Sequence, residues 1–259
     1  MQIPCRPMHL RLIRNATLRL ELDGRRLLVD PMLSPAGALP PIPDTENDRR
    51  NPLVELPEPA EVVVDGIDAA LVTHLHQDHF DPAAAALLPH ALPLLCQPED
   101  TERLAAHGFT DLRPVQDRLT WEGIEITRTP ARHGHGEVAA ALAPVSGFVL
   151  RGASGRALYL AGDTVLYDEV ERVLDAHRPD VVVLNAGAAR FTGGRPIVMD
   201  ADDVIAVAER VPDARVVAVH LDAMNHCVET RADLHQRLHD AGLTERVTVP
   251  EDGAAVPID

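Results

Sequence analysis

The run Ala69-Ala70-Leu71-Val72-Thr73-His74-Leu75-His76-Gln77-Asp78-His79-Phe80-Asp81-Pro82 constrains the fold more than any other stretch of the chain. Ala69 to Thr73 is a short apolar strand, and the strand period of two puts His74 and His76 on one face at its end. Asp78 and His79 follow in the turn. Asp81 suits a helix N-cap and Pro82 a first helical position, so a helix over Ala83 to Leu88 is expected. The turn is therefore pinned between a strand and a helix, and that rigidity suits a metal site. Neutral imidazoles bind Zn, Fe, Mn or Cu and a carboxylate adds charge, so three His and one Asp within six positions form a metal-ligand cluster.

Apolar runs alternate with turn signals along the rest of the chain. Strands are expected at His9 to Arg14, Thr17 to Leu22 and Arg26 to Asp30, with Asp23-Gly24 as a hairpin turn. Pro31 to Ala60 carries eight of the 22 prolines, including Pro40-Pro41, which predicts a long irregular excursion. Loops this long inside a compact domain tend to be functional. After it come the strand Ala69 to Thr73, a helix from Pro82, a strand Leu92 to Cys96, a helix Pro98 to His107 and a β-rich stretch from Leu112 to Leu150. The second half repeats the pattern with strands Ala157 to Ala161, Val181 to Leu184 and Arg215 to Val219, and helices Tyr167 to His177, Ala201 to Val211 and Arg231 to Ala241. Two β-containing halves flanked by helices imply stacked sheets with helices outside.

Composition removes several function classes. The 24 basic residues are all Arg, and with no Lys the chain can build neither a Walker-type phosphate loop nor a Schiff-base site. A net charge of -16 repels phosphate backbones, so the expected partner is a small molecule and not nucleic acid. Met1 to Arg6 lacks the apolar core of a secretory signal, and no stretch approaches the ~18 apolar residues of a membrane span, which predicts a cytoplasmic protein with no membrane partner. Cys5, Cys96 and Cys227 stand at unrelated spacings and are expected to be buried free thiols.

The HxHxDH pattern of His74, His76, Asp78 and His79 resembles the metallo-β-lactamase superfamily. Three later motifs of that family are matched in order: His133, with His135 as a competitor, in Thr129 to Gly136; Asp163 in Tyr159 to Thr164; and His220 after Val217 to Val219. The resemblance covers about residues 9–226, and Gly162-Asp163-Thr164 is most similar to the UlaG-like branch, which resembles ascorbate-6-phosphate lactonase. It implies an α/β fold, a four-layer αββα sandwich, built as a single domain over residues 1–259. It further implies that His74, His76 and His133 hold one metal and Asp78, His79 and His220 a second, with Asp163 bridging. Two divalent ions, zinc first and manganese or iron as alternatives, would then activate a bound hydroxide against a small ester, lactone or phosphodiester. Asp78 is the expected catalytic residue, orienting water and carrying its proton to the leaving group.

His76 stands where the diiron redox branch of the family usually has Glu, which favours hydrolysis. A mononuclear iron oxidoreductase of the thiol dioxygenase type is the alternative on the same fold, and a non-catalytic metal-binding protein is a third. The absence of Lys also argues against antibiotic hydrolysis. Asn185, after the strand Val181 to Leu184, His226 and Arg132 are candidate substrate-binding residues, the last for an anion. A homo-oligomer is compatible with all of these readings.

Overall fold

The computed structural model describes residues 8–258, so Cys5 lies outside the described residues. Two seven-stranded sheets form the centre. From edge to edge, the first runs Ala255–Val256, His9–Arg14, Thr17–Leu22, Arg25–Val29, Ala69–Val72, Leu94–Cys96, Leu112–Pro114. The second runs Val247–Thr248, Arg215–Val219, Val181–Asn185, Ala157–Leu160, Ser146–Arg151, Ile124–Pro130, Arg118–Trp121. Each sheet joins antiparallel pairs to parallel ones, and the parallel part of the first begins where Arg25–Val29 meets Ala69–Val72. In the second sheet Ala157–Leu160, Val181–Asn185 and Arg215–Val219 run parallel.

Strands of the parallel regions are continuously apolar because both faces are covered. Leu158, Leu160, Val181 and Val183 point between the sheets, where they meet Leu12, Leu20 and Leu71 of the first. Their neighbours Tyr159, Val182 and Leu184 point outward, against Val170, Leu174, Val204 and Leu234 of the helices Asp168–His177, Ala201–Arg210 and Arg231–Asp240. On the opposite flank Ala70, Val72 and Leu94 meet Val63, Ala84 and Leu104 of the helices Ala60–Val64, Pro82–Leu87 and Thr101–Ala106. The result is the four-layer αββα sandwich of the metallo-β-lactamase fold.

Several local expectations need correction. The region Leu112 to Leu150 is not wholly β: the helix Gly136–Leu142 interrupts it, and that helix buries none of its residues, so no apolar periodicity announced it. The expected helix Pro98 to His107 is a 3-10 turn, Pro98–Asp100, followed by Thr101–Ala106. Strands Val247–Thr248 and Ala255–Val256 are too short to show a pattern. The third strand ends at Val29, and Asp30 leaves it with φ 42°.

A buried polar knot joins the two sheets near one edge. Gln97 donates to Asp100 Oδ2 at 2.9 Å and to the Pro144 carbonyl at 3.0 Å, Ser146 Oγ donates to Gln97 Oε1 at 2.7 Å, and Arg128 Nε donates to Ser146 Oγ at 2.7 Å. Burial pushes the Asp100 carboxyl up to about 6, against the hydrogen bond from Gln97. A carboxyl whose pKa is higher folded than unfolded stabilises below its unfolded pKa and loses that contribution as pH rises through the folded value. Asp100→Asn, which keeps an acceptor for Gln97, is therefore expected to raise Tm relative to wild type more at pH 8 than at pH 4; equal shifts by calorimetry would contradict this.

Candidate metal centre

The rigid turn forms as its composition predicts. Asp81 caps the helix Pro82–Leu87 by accepting from Ala84 N at 2.8 Å, and its other oxygen accepts from Ser34 N at 2.7 Å. Asp163 follows Gly162, whose φ of 67° and 2.5 Å approach of a notional Cβ to the Ser146 carbonyl leave room for glycine only. His220 ends the strand Arg215–Val219 in the left-handed region at φ 66°, its N–H donating to the Asn15 carbonyl at 3.0 Å. Asn15 also donates from its side chain to the Asp78 carbonyl at 3.0 Å, so one hairpin turn ties two site loops together.

Six of the seven candidate ligands are buried, and only His76 is partly open. Ligand atoms of His74, His76, His133 and Asp163 all lie within 4.8 Å of one another, and so do those of Asp78, His79, Asp163 and His220. Asp163 belongs to both groups, with one oxygen toward each. Its Oδ2 is 3.9 Å from His74 Nε2 and 3.4 Å from His133 Nε2, while Oδ1 is 3.2 Å from His79 Nε2 and 3.9 Å from His220 Nε2. His74 Nε2 and His76 Nδ1 are 3.0 Å apart. Asp78 Oδ2 lies 3.2 Å from His220 Nε2 and 3.8 Å from His226 Nε2.

The outer nitrogens of the imidazoles are held away from the centre. His133 Nδ1 is 2.8 Å from the Ile197 carbonyl, His79 Nδ1 2.8 Å from Asp30 Oδ2, and His74 Nδ1 3.0 Å from Thr73 Oγ1. A carbonyl or carboxylate at Nδ1 requires the proton there, which leaves the Nε2 lone pair free to bind a cation. The orphaned atoms agree with this. His79 Nε2 and Asp163 Oδ2 are buried with no hydrogen-bond partner, although His79 Nε2 lies near Asp163 Oδ1, because the pair is not in line for a hydrogen bond. Lone pairs that converge without bonding each other fit a shared cation, and an all-imidazole and carboxylate donor set suits Zn, Mn or Fe.

Electrostatics reach the same conclusion. Burial alone would raise the carboxyls of Asp78 and Asp163, yet the charge of His79 in particular holds both well below the usual carboxylate range. Burial opposes charge on His79 as well, but Asp163, Asp30 and Asp78 lift it to about 10. His74 moves the other way, depressed by burial and then by His79. Three buried carboxylates thus create a demand for positive charge that protons on imidazoles or bound cations can meet.

The other sequence candidates separate by location. His133 enters the cluster, whereas His135 sits outside it as the residue preceding the helix Gly136–Leu142, its pKa lowered by slight burial and by Arg195 and Arg132. Asn185 donates to Asp163 Oδ1 at 2.7 Å and so orients that carboxylate. Arg132 stacks over the Tyr167 ring at 4.3 Å and receives support from Thr164 Oγ1 at its backbone N–H. His226 is 4% exposed beside Asp78, and burial lowers its pKa to about 4, which keeps the ring neutral. Cys96 is buried and Cys227 half-buried, with Cys227 Sγ 3.6 Å from His220 Nδ1.

Asp30 belongs to the site although no sequence motif marks it. It accepts from Thr73 N at 2.7 Å and Thr73 Oγ1 at 2.8 Å while holding His79, so it braces both ends of the ligand turn. The available signal was an Asp closing an apolar strand, but its meaning depends on Arg25–Val29 pairing in parallel with Ala69–Val72.

The proline-rich excursion is fastened at both ends. Arg14, fully buried, donates to the carbonyls of Met32, Ser34 and Val54 at 2.8–3.0 Å. Asn225 Oδ1 accepts from Ile42 N at 2.9 Å and from Asn51 Nδ2 at 2.7 Å, and its amide donates to Thr45 Oγ1 at 2.7 Å and the Asn47 carbonyl at 2.6 Å. Asn225→Ala would strand several buried polar groups at a cost of about 1–3 kcal/mol. We expect a lower denaturant midpoint and faster proteolysis within residues 40–50; an unchanged digestion pattern would show that the loop is held elsewhere.

Comparisons with known proteins match the geometry. A family model described as a beta-lactamase superfamily domain matches residues 25–221. YddR of Bacillus subtilis (strain 168), a UPF0173 protein, is 35% identical over 249 residues, covering 95% of this chain and 98% of the relative. A crystal structure of a possible metal-dependent hydrolase from Veillonella parvula DSM 2008 superposes with TM-score 0.93 at 32% identity, over 96% of this chain and 98% of that one. Isothiocyanate hydrolase from Delia radicum gut bacteria superposes with TM-score 0.92 at 33% identity, over 96% of this chain and 99% of that one. No helix of the described residues is long and apolar enough to cross a membrane. With fold, ligand-type cluster and full-length relatives in agreement, the chain belongs to the metallo-β-lactamase superfamily and, within it, to the UPF0173 family of metal-dependent hydrolases.

Proposed function

We propose that this metallo-hydrolase is dinuclear and acts on a small ester, lactone or phosphodiester, with His74, His76 and His133 holding one ion, Asp78, His79 and His220 the other, and Asp163 bridging. The division of Asp163, with Oδ2 toward His74 and His133 and Oδ1 toward His79 and His220, carries this reading. When bound, a pair of such ions lowers the pKa of a coordinated water toward neutrality and polarises a substrate oxygen. The chain's own residues do the rest. Asn185 and the buried walls fix Asp163, and Asp30 fixes His79. Asp78 takes the proton released on attack and returns it to the leaving group, while neutral His226 beside it donates or accepts a hydrogen bond to the substrate. Gly162-Asp163-Thr164 supports the lactonase-like placement.

A second substrate class, the isothiocyanates, is supported by the likeness to isothiocyanate hydrolase, since the central carbon of that group is also attacked by water. Elemental analysis of purified protein, followed by an ester, lactone, phosphodiester and isothiocyanate panel with added zinc or manganese, tests the proposal. About two ions per chain with metal-dependent turnover is the expected result. About one iron per chain with thiol-dependent oxygen consumption would replace hydrolysis with the oxidoreductase alternative.

A further inference from the structure

We propose that the cavity on the His226 side of the centre, between Thr45 to Asn47 and Arg190 and Phe191, is a subsite for a carboxylate carried by the substrate, with Arg190 as the group that receives it. The inference deepens the hydrolase reading and rests on it. The cavity holds about 230 Å³, below the ~300–1,000 Å³ of sites for drug-sized ligands, so its occupant is small. His226 lines it and also lies 3.8 Å from Asp78 Oδ2, so a single imidazole stands between the cavity and the ligand cluster.

Arg190 makes no side-chain hydrogen bond or ion pair among the described residues, in a chain where 40 acidic residues compete for 24 arginines. Glu46 lines the same cavity from an exposed position and is not within ion-pair distance of it. Phe191, half-buried on the small cluster of Ala189, Ile197 and Val198, supplies an apolar wall. The mouth is preformed: Arg190 N donates to the His226 carbonyl at 3.0 Å, and Asn225 clamps Thr45 and Asn47. A planar guanidinium matches a carboxylate through two parallel hydrogen bonds. Glu46 is out of ion-pair range of Arg190 and exposed to solvent, so the single guanidinium charge is left to match a monoanion; a phosphate dianion would need further positive charge, and no Lys exists to provide it.

The test is calorimetric binding of phenylacetate, its neutral analogue phenylacetamide and inorganic phosphate to the zinc-loaded protein and to Arg190→Gln and Arg190→Lys. Carboxylates also ligate zinc directly, so the quantity read is the part of the preference that depends on Arg190. Wild type should prefer phenylacetate by roughly 10- to 100-fold more than Arg190→Gln does, the range of one charge-assisted contact, and Arg190→Lys should recover part of it. An unchanged preference in Arg190→Gln, or an Arg190-dependent preference for phosphate over phenylacetate, overturns the proposal. A kinetic arm compares 4-nitrophenyl hemisuccinate with neutral 4-nitrophenyl butyrate: Arg190→Gln should raise KM for the first and leave kcat and the second unchanged. If neither ester is hydrolysed while the Arg190-dependent binding persists, the ester reading fails and the subsite stands; if both are hydrolysed alike in wild type and variant, the subsite fails alone.

Discussion

Asp163→Ala is expected to bring metal content from about two ions per chain to below one, and to reduce turnover by well over 100-fold. Loss of a group that merely supports a metal ligand already costs about 10- to 100-fold in affinity or activity, and Asp163 is the residue whose two oxygens face both histidine sets. Its removal also takes one negative charge from a buried cluster in which Asp163 favours positive charge beside His79 and His220. The variant therefore loses attraction for a cation as well as the bridge. Asp163→Asn keeps shape and the contact region of Asn185 but not the charge, and should fall close to Ala in metal content. Elemental analysis beside circular dichroism separates this from unfolding: a folded variant that still carries two ions would sink the bridging role.

The second large effect is expected at Asp30, which no motif identifies. Its carboxylate accepts three hydrogen bonds at once, from Thr73 N, Thr73 Oγ1 and His79 Nδ1. Asn at this position has one acceptor oxygen and one amide, so either Thr73 or His79 would meet a donor where it needs an acceptor. The cost is about 1–3 kcal/mol of stability for the stranded buried group. His79 would also lose the partner that fixes its ring, which predicts about 10- to 100-fold weaker binding at the set containing Asp78, His79 and His220. The set containing His74, His76 and His133 should weaken less, because Asp30 reaches it only indirectly, through the Thr73 hydroxyl that meets His74 Nδ1, while His133 is oriented by the Ile197 carbonyl. Stepwise zinc titration against a chromophoric chelator distinguishes the two sets; equal weakening of both would mean that Asp30 acts through global stability.

Recognition of the fold was strongest where local chemistry repeats. Ala69 to Thr73 and Val181 to Leu184 are apolar enough to declare buried strands, and Asp81-Pro82 declares a helix start, because both signals depend only on neighbours in sequence. The helix Gly136–Leu142 was not legible, since it buries nothing and its alanines show no periodic face. His133 and His135, two residues apart in a glycine-rich turn, could not be told apart without the fold; only the tertiary structure turns His133 toward Asp163. Asn185 illustrates the same limit from the other side: its place after a strand marked it as a site residue, but its partner is Asp163, from the neighbouring parallel strand.

The donor types, their order and the rigid turn that presents four of them within six positions are legible in the chain, because they follow from side-chain chemistry, strand period and capping. The sequence also excluded lysine chemistry outright. Tertiary structure alone decided which oxygen of Asp163 faces which histidines, that Asp30 braces His79, and that Asn225 holds the proline-rich loop beside Arg190 and His226. Those contacts join residues up to 183 positions apart, and a distance of a few ångströms between such residues is set by how two twisted sheets pack against each other, which no local pattern encodes.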